Sequence, residues 1–163
     1  MPRFDNELSI LPSVLDRLLD DEPGTEREPI PNRFQNLREL KKAVTRDLED
    51  LLNTRQEMLE ELPSEFAEVS RSLVSYGLPD FTSFSLLSKH DRNRIRRAVE
   101  QAIANFEPRL ARVNVTLEPP RDNDRAVRFH IEALLRLEPA PELVTFDAVL
   151  QLTTQKYVIQ GHD

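Results

Sequence analysis

"RIRRAVEQAIANFEPRLARVNVTL", residues 94–117, changes its period in the middle. In the first half, Ile95, Ala98, Val99, Ala102, Ile103 and Phe106 recur at the 3.6-residue spacing of a helix with one apolar face. In the second half, Val113, Val115 and Leu117 alternate with Arg112, Asn114 and Thr116, the period of a strand with one covered face. Glu107-Pro108-Arg109 marks the switch. Pro108 has no backbone donor and disfavours a helical Glu107, so the chain must leave the helix extended. Running the strand phase backwards puts Glu107 and Arg109 on the apolar side with Val113, and Leu110 on the polar side. Either a bulge resets the phase between Leu110 and Arg112, or two charged side chains point toward the covered side at the sheet margin. Glu107 and Arg109 pairing with each other or capping the helix is one reading. A surface pair contributes at most ~1 kcal/mol, too little to explain the arrangement by stability, so a functional role stands beside it.

Working outward, Ser88 lies three residues before Asp91, an N-cap pattern that starts the helix ending at Phe106. Further back, Leu37, Leu40, Val44, Leu48, Leu51 and Leu52 predict a helix from about Phe34 to Leu52, with Arg46, Asp47 and Glu49 mostly off the stripe. Asn53 and Thr54 should interrupt it by competing for backbone hydrogen bonds. Phe66, Val69, Leu73 and Tyr76 suggest a short helix closed by Gly77 in a left-handed cap. Leu11, Val14, Leu15, Leu18 and Leu19 form a short amphipathic helix, followed by a charged, Pro-containing linker. On the other side, Val127, Phe129, Ile131, Ala133 and Leu135 alternate as a second strand, and Val144, Phe146, Ala148, Leu150 and Leu152 as a third. The expected fold is α+β: residues 1–32 carry the amphipathic helix and linker, and residues 33–163 one domain with helices within 34–106 and strands within 109–159. Its sheet is an antiparallel three-stranded meander under the helices, with a long last strand from Leu143 to Ile159 that leaves an edge unpaired. After Thr154 the apolar phase slips to Tyr157 and Ile159, so "QKYVIQ" is either a separate edge segment or a tail.

Composition narrows the chemistry. A chain of 163 residues with 39% hydrophobic residues can bury a real core. It contains no Cys, hence no disulfide framework and no thiolate metal site. Its net charge of -7 argues against general affinity for nucleic acid. With only three Gly, and neither GxGxxG nor GxxxxGK[ST], it has no phosphate loop. His90, His130 and His162 have no metal-ligand spacing, so no metal and no cofactor are expected, and His130 falls on a polar strand face. The basic run Lys89 to Arg97 reads as a solvated or partner-facing helix surface. No signal peptide and no apolar run near the ~20 residues that span a membrane are present, which points to a soluble intracellular protein.

"LKKAVTRDLEDLLNTR" (40–55), "SLVSYGLPDFTS" (72–83), "RIRRAVEQAIANFEPRL" (94–110), "VRFHIEALL" and "VTFDAVL" occur in an order that resembles the lysozyme-like baseplate family, which includes the type VI secretion baseplate protein TssE and wedge proteins of contractile phage tails. The resemblance spans roughly residues 8–152. It implies a non-enzymatic baseplate subunit that joins the wedge to the contractile sheath and helps nucleate sheath assembly. The partners it implies are TssF and TssG, with TssK in the same complex, and the sheath proteins TssB and TssC. The location it implies is cytoplasmic, in a baseplate docked at the inner membrane. The family's Glu-Pro-Arg motif, matched here by Glu107, Pro108 and Arg109, is expected to contact the wedge core, with Pro108 presenting both charges on a stiff backbone. The sheet is expected to accept strands from sheath arms.

Two other function classes compete with this one. A peptidoglycan glycosidase needs two carboxylates across a sugar cleft, and Glu107 with Glu132 can be paired on paper, but no Trp and only two Tyr are available to line a groove. A stand-alone adaptor would dock one partner through Leu11 to Leu19; removing residues 1–24 would then abolish every interaction instead of one.

Overall fold

The computed structural model describes residues 33–56, 68–85, 88–118, 126–138, 140–151 and 156–162. The N-terminal helix and linker expected within residues 1–32, and Phe66, lie outside them. Helix α1 is Arg33–Asn53 and helix α2 is Lys89–Phe106; between them run two 3-10 turns, Val69–Arg71 and Leu73–Ser75. Strands β1 (Leu110–Leu117), β2 (Ala126–Leu135), β3 (Glu142–Gln151) and β4 (Lys156–His162) form one antiparallel sheet in the order β1-β2-β3-β4. Helix α2 packs against β1 and helix α1 against β4. The architecture is α+β as the periodicity implies.

The strand count differs: the sheet has four strands, not three, and the long last strand is a hairpin of β3 and β4. The register pairs even-numbered β3 residues with odd-numbered β4 residues, Leu150 with Tyr157 and Ala148 with Ile159. The phase slip after Thr154 is therefore the signature of a chain reversal that keeps both apolar sets on one face. The strand region runs from Leu110 to His162, beginning one residue later and ending three later than expected.

The core lies between the helices and one sheet face. Val44, Leu48, Leu51 and Leu52 from α1 and Ile95, Val99, Ala102 and Ile103 from α2 meet Val115, Phe129, Ile131, Phe146, Ala148 and Ile159. Each large aliphatic or aromatic side chain buried there stabilises the fold by ~1.5–3 kcal/mol. The alternate residues form the outer face, where His130 Nδ1 lies 2.6 Å from Asp147 Oδ1, directly across the β2–β3 ladder. His130 is on the polar face as expected, but it is tied to a carboxylate there.

Local chemistry fixes the helix ends. The Ser88 hydroxyl accepts from the Asp91 amide at 3.3 Å, the N-cap read from sequence. At the end of α1, the Thr54 hydroxyl donates to the Asp50 carbonyl at 2.7 Å and the Asn53 amide to the Glu49 carbonyl at 2.8 Å. Asn53 does more than stop the helix. Its Nδ2 donates to the Tyr157 carbonyl at 2.9 Å and its Oδ1 accepts from the Tyr157 amide at 2.8 Å, so the side chain docks on β4 as a strand would. Asn53→Ala should cost about 1–3 kcal/mol, because it strips partners from a backbone donor and acceptor. Hydrogen exchange checks this: β4 amides, Tyr157 above all, should lose protection before those of β2.

The helix expected between Phe66 and Tyr76 is replaced, over its described residues, by the two 3-10 turns. Leu73, assigned to its core stripe, is 86% exposed. The eclipsed i, i+3 geometry of a 3-10 turn cannot sustain the apolar stripe of an α-helix.

Candidate partner-docking site

The Glu107-Pro108-Arg109 corner is held by backbone bonds on both sides. The Glu107 amide donates to the Ile103 carbonyl at 2.9 Å, closing α2, and the Leu110 amide donates to the Glu107 carbonyl at 3.1 Å, turning the chain into β1. The Arg136 amide then donates to the Arg109 carbonyl at 2.8 Å, tying the corner to the end of β2.

The phase conflict is resolved by a bulge. Ala111 pairs with Leu134 and Asn114 with Glu132, so Arg112 and Val113 together oppose the single residue Ala133. Arg112 takes φ 52, the left-handed region, within this bulge. Leu110 and Val115, of opposite parity, consequently both point into the core. The other expectation holds as well: Glu107 is only 4% exposed, buried at the sheet margin ahead of the bulge.

Burying a carboxylate requires a paired cation. Arg109 supplies it. Its Nε donates to Glu107 Oε1 at 2.7 Å, its Nη2 to Glu107 Oε2, and its backbone amide to Oε1 at 3.1 Å. The same Nη2 donates to Asp47 Oδ2 of α1 at 2.5 Å, while Arg46 Nε and Nη2 hold Asp47 Oδ1 at 3.0 and 2.8 Å. Four charges alternate in sign: Arg46, Asp47, Arg109, Glu107. The Glu107 hydrogen bonds raise the Arg109 pKa above its ordinary value against the opposing effect of burial, with Asp47 adding to the rise, so the guanidinium stays charged throughout the accessible pH range. Burial, then the negative charges of Asp50, Asp47 and Glu107, push the nearby Tyr76 hydroxyl up and keep it neutral.

The structure thus brings Glu107 and Arg109 into direct contact and leaves Pro108 exposed between them. Arg109 keeps a quarter of its side chain accessible, 25% against 5% for Glu107. Tyr76 stacks edge-on against Phe106 at 5.3 Å, and the turn that carries it also presents the exposed Leu73 and Val74. Arg46 and Asp47 were missed as site residues by reasoning from periodicity, which placed them merely off the apolar stripe. The available signal was an adjacent Arg-Asp pair within the "RDLE" segment. Glu132 lies on the outer sheet face, hydrogen-bonded by Asn114 at 3.3 Å, and shares no cleft with Glu107. Among the described residues no group of three or more His, Asp or Glu is arranged to hold a metal ion.

The "NTR" and "YGLPDF" segments meet beside this corner. The Leu78 amide donates to the Thr54 carbonyl and the Gln56 amide to the Leu78 carbonyl, both at 2.8 Å, a short parallel bridge that Arg55 and Asp80 flank at 3.7 Å. "RDLE" and "EPR" are joined by the ion chain, and "NTR" and "YGLPDF" by this bridge.

A protein-family model described as baseplate wedge protein gp25 matches residues 38–140, which is well over half of the chain and includes all four of these segments. A search of curated proteins finds no match. The matched family is one of structural baseplate components. The chain belongs to the baseplate wedge protein gp25 family, which is the family of TssE.

Proposed function

We propose that this chain is a structural subunit of a type VI secretion baseplate, joining the TssF and TssG wedge proteins, with TssK in the same complex, to the first TssB and TssC sheath ring and helping nucleate its assembly. The carrying observation is the ion chain at the Glu-Pro-Arg corner, within the span matched by the wedge family. Glu107 acts as the positioning residue: it fixes the Arg109 fork, which Asp47 clamps from the other side. Pro108 and the accessible part of Arg109 are the groups that meet the wedge, already ordered and therefore losing little entropy on docking. The sheath side is assigned to the sheet. Strand β4 ends the order β1-β2-β3-β4, and Asn53 occupies its outer edge at Tyr157, so the stretch of that edge beyond Tyr157 is the one assigned to strand addition by a sheath arm.

In this reading residues 1–32 form a separately docking helix and linker, residues 33–163 form the baseplate domain, and the assembly sits on the cytoplasmic side of the inner membrane. Among the described residues no helix is long and apolar enough to cross a membrane. The glycosidase alternative gains no support from the geometry, because both Glu107 oxygens are engaged by Arg109, and a carboxylate so held is a poor general acid. Deleting the protein from a secreting cell should abolish extended sheaths seen with a fluorescent sheath subunit. Sheaths of normal number and length in the deletion strain would overturn the assignment.

A further inference from the structure

The backbone groups on the outer edge of β4 follow from the hydrogen bonds of the rest of the sheet. The Glu118 amide donates to the Arg128 carbonyl at 2.9 Å, so the even-numbered residues of β2 turn their backbone groups toward β1 and the odd-numbered ones toward β3. The β2–β3 and β3–β4 registers run without a shift, and the alternation carried across them leaves Tyr157, Ile159 and Gly161 facing outward on β4. Asn53 gives the same parity independently, since its side chain bonds both the amide and the carbonyl of Tyr157.

A group that exchanges both bonds with a single residue reproduces the antiparallel pattern; in a parallel ladder the two bonds of a residue go to two different neighbours. Asn53 therefore stands where one residue of a fifth, antiparallel strand would stand. The next two places, opposite Ile159 and Gly161, have no backbone partner among the described residues. Gly161 is exposed, whereas Ile159 is only 6% exposed, so its outward amide and carbonyl have little water to stand in for a partner. It is the position that gains most from an added strand.

We propose that Asn53 is an end-stop that fixes the register of strand addition on β4. An extended segment of a partner protein joins antiparallel, one of its residues exchanging both bonds with Gly161 and the residue two further on with Ile159, and it turns away before Tyr157. Those two residues cannot be proline, which has no donor, whereas the residue between them turns its amide to the new outer edge and tolerates one. The inference deepens the assignment of a sheath arm to this edge and rests on that reading.

Hydrogen exchange followed by NMR on the full chain, alone and with purified TssB–TssC sheath subunits, tests it. With the subunits bound, the Ile159 and Gly161 amides should slow by about tenfold or more, and Tyr157, already held by Asn53, by less than about twofold. In Asn53→Ala, Tyr157 should slow with the other two; should that variant fail to fold, Asn53→Ser, too short to bridge both groups, takes its place. Slowing of Tyr157 together with Ile159 and Gly161 in the wild type, or an Asn53 variant in which binding leaves Tyr157 untouched, would overturn the end-stop while the sheath assignment stands. Sheath subunits that fail to bind, or that bind without slowing any β4 amide, would overturn both. Slowing of Ile159 and Gly161 in the chain alone as its concentration rises would mean that two copies pair edge to edge, and would overturn the proposal as well.

Discussion

Arg109→Ala is expected to lower the stability of the fold by about 3 kcal/mol, the low end of the range for breaking a buried pair, because the guanidinium keeps a quarter of its surface in water. For a chain of this size that corresponds to a fall in Tm of about 6–12 °C. The cause is the partner left behind. Glu107, 4% exposed, would be left buried at the sheet margin with its main cation gone. Glu107→Ala should cost distinctly less, since Arg109 retains Asp47 and can turn toward solvent. The double variant should cost less than the two single effects added, because it removes the uncompensated charge as well as the bond. Thermal unfolding of the four proteins of this cycle gives the answer. Equal costs for the two single variants, adding in the double, would mean that the pair behaves as an ordinary exposed salt bridge.

Gly77→Ala should be of similar severity, for a reason of backbone instead of charge. Gly77 has φ +104, and a Cβ there would sit 2.4 Å from the Thr54 carbonyl oxygen. That oxygen is the acceptor for the Leu78 amide, so it cannot withdraw without breaking the bridge between "NTR" and "YGLPDF". An unfavourable backbone conformation costs roughly 1–3 kcal/mol and overpacking a similar amount, so a loss of about 2–4 kcal/mol is expected. Urea unfolding monitored by far-UV circular dichroism measures it. A loss under about 0.5 kcal/mol would show that the turn can move away from Thr54.

Much of the fold was legible because its decisive information is local. The change from helical to alternating spacing across residues 94–117, the Ser88 cap and the Asn53-Thr54 stop each act within a few residues, and each stands where the periodicity places it. The fourth strand was legible only as one of two alternatives for "QKYVIQ", because residues 152–155 read Leu-Thr-Thr-Gln, without the Gly, Pro or Asn that marks a reversal. Only the slip in apolar phase betrayed the turn. Leu73 and Tyr76 have helical spacing, yet 3-10 geometry exposes the first.

At the candidate site the division is the same. Pro108 located the corner, and the parity conflict of Glu107 and Arg109 with Leu110 signalled a bulge. Asp47, 62 residues from Arg109, reaches it only because α1 packs across the sheet, a tertiary arrangement that no spacing rule encodes. Arg46 follows from Asp47 for the same reason.

The most direct measurement is the affinity of the purified TssF–TssG wedge complex for the wild-type chain and for the Glu107→Ala, Arg109→Ala double variant, at a temperature where circular dichroism shows both folded. At least a hundredfold loss of wedge binding by the folded double variant is predicted. Unchanged affinity would contradict the account and leave the corner as a structural latch between α1, α2 and the sheet.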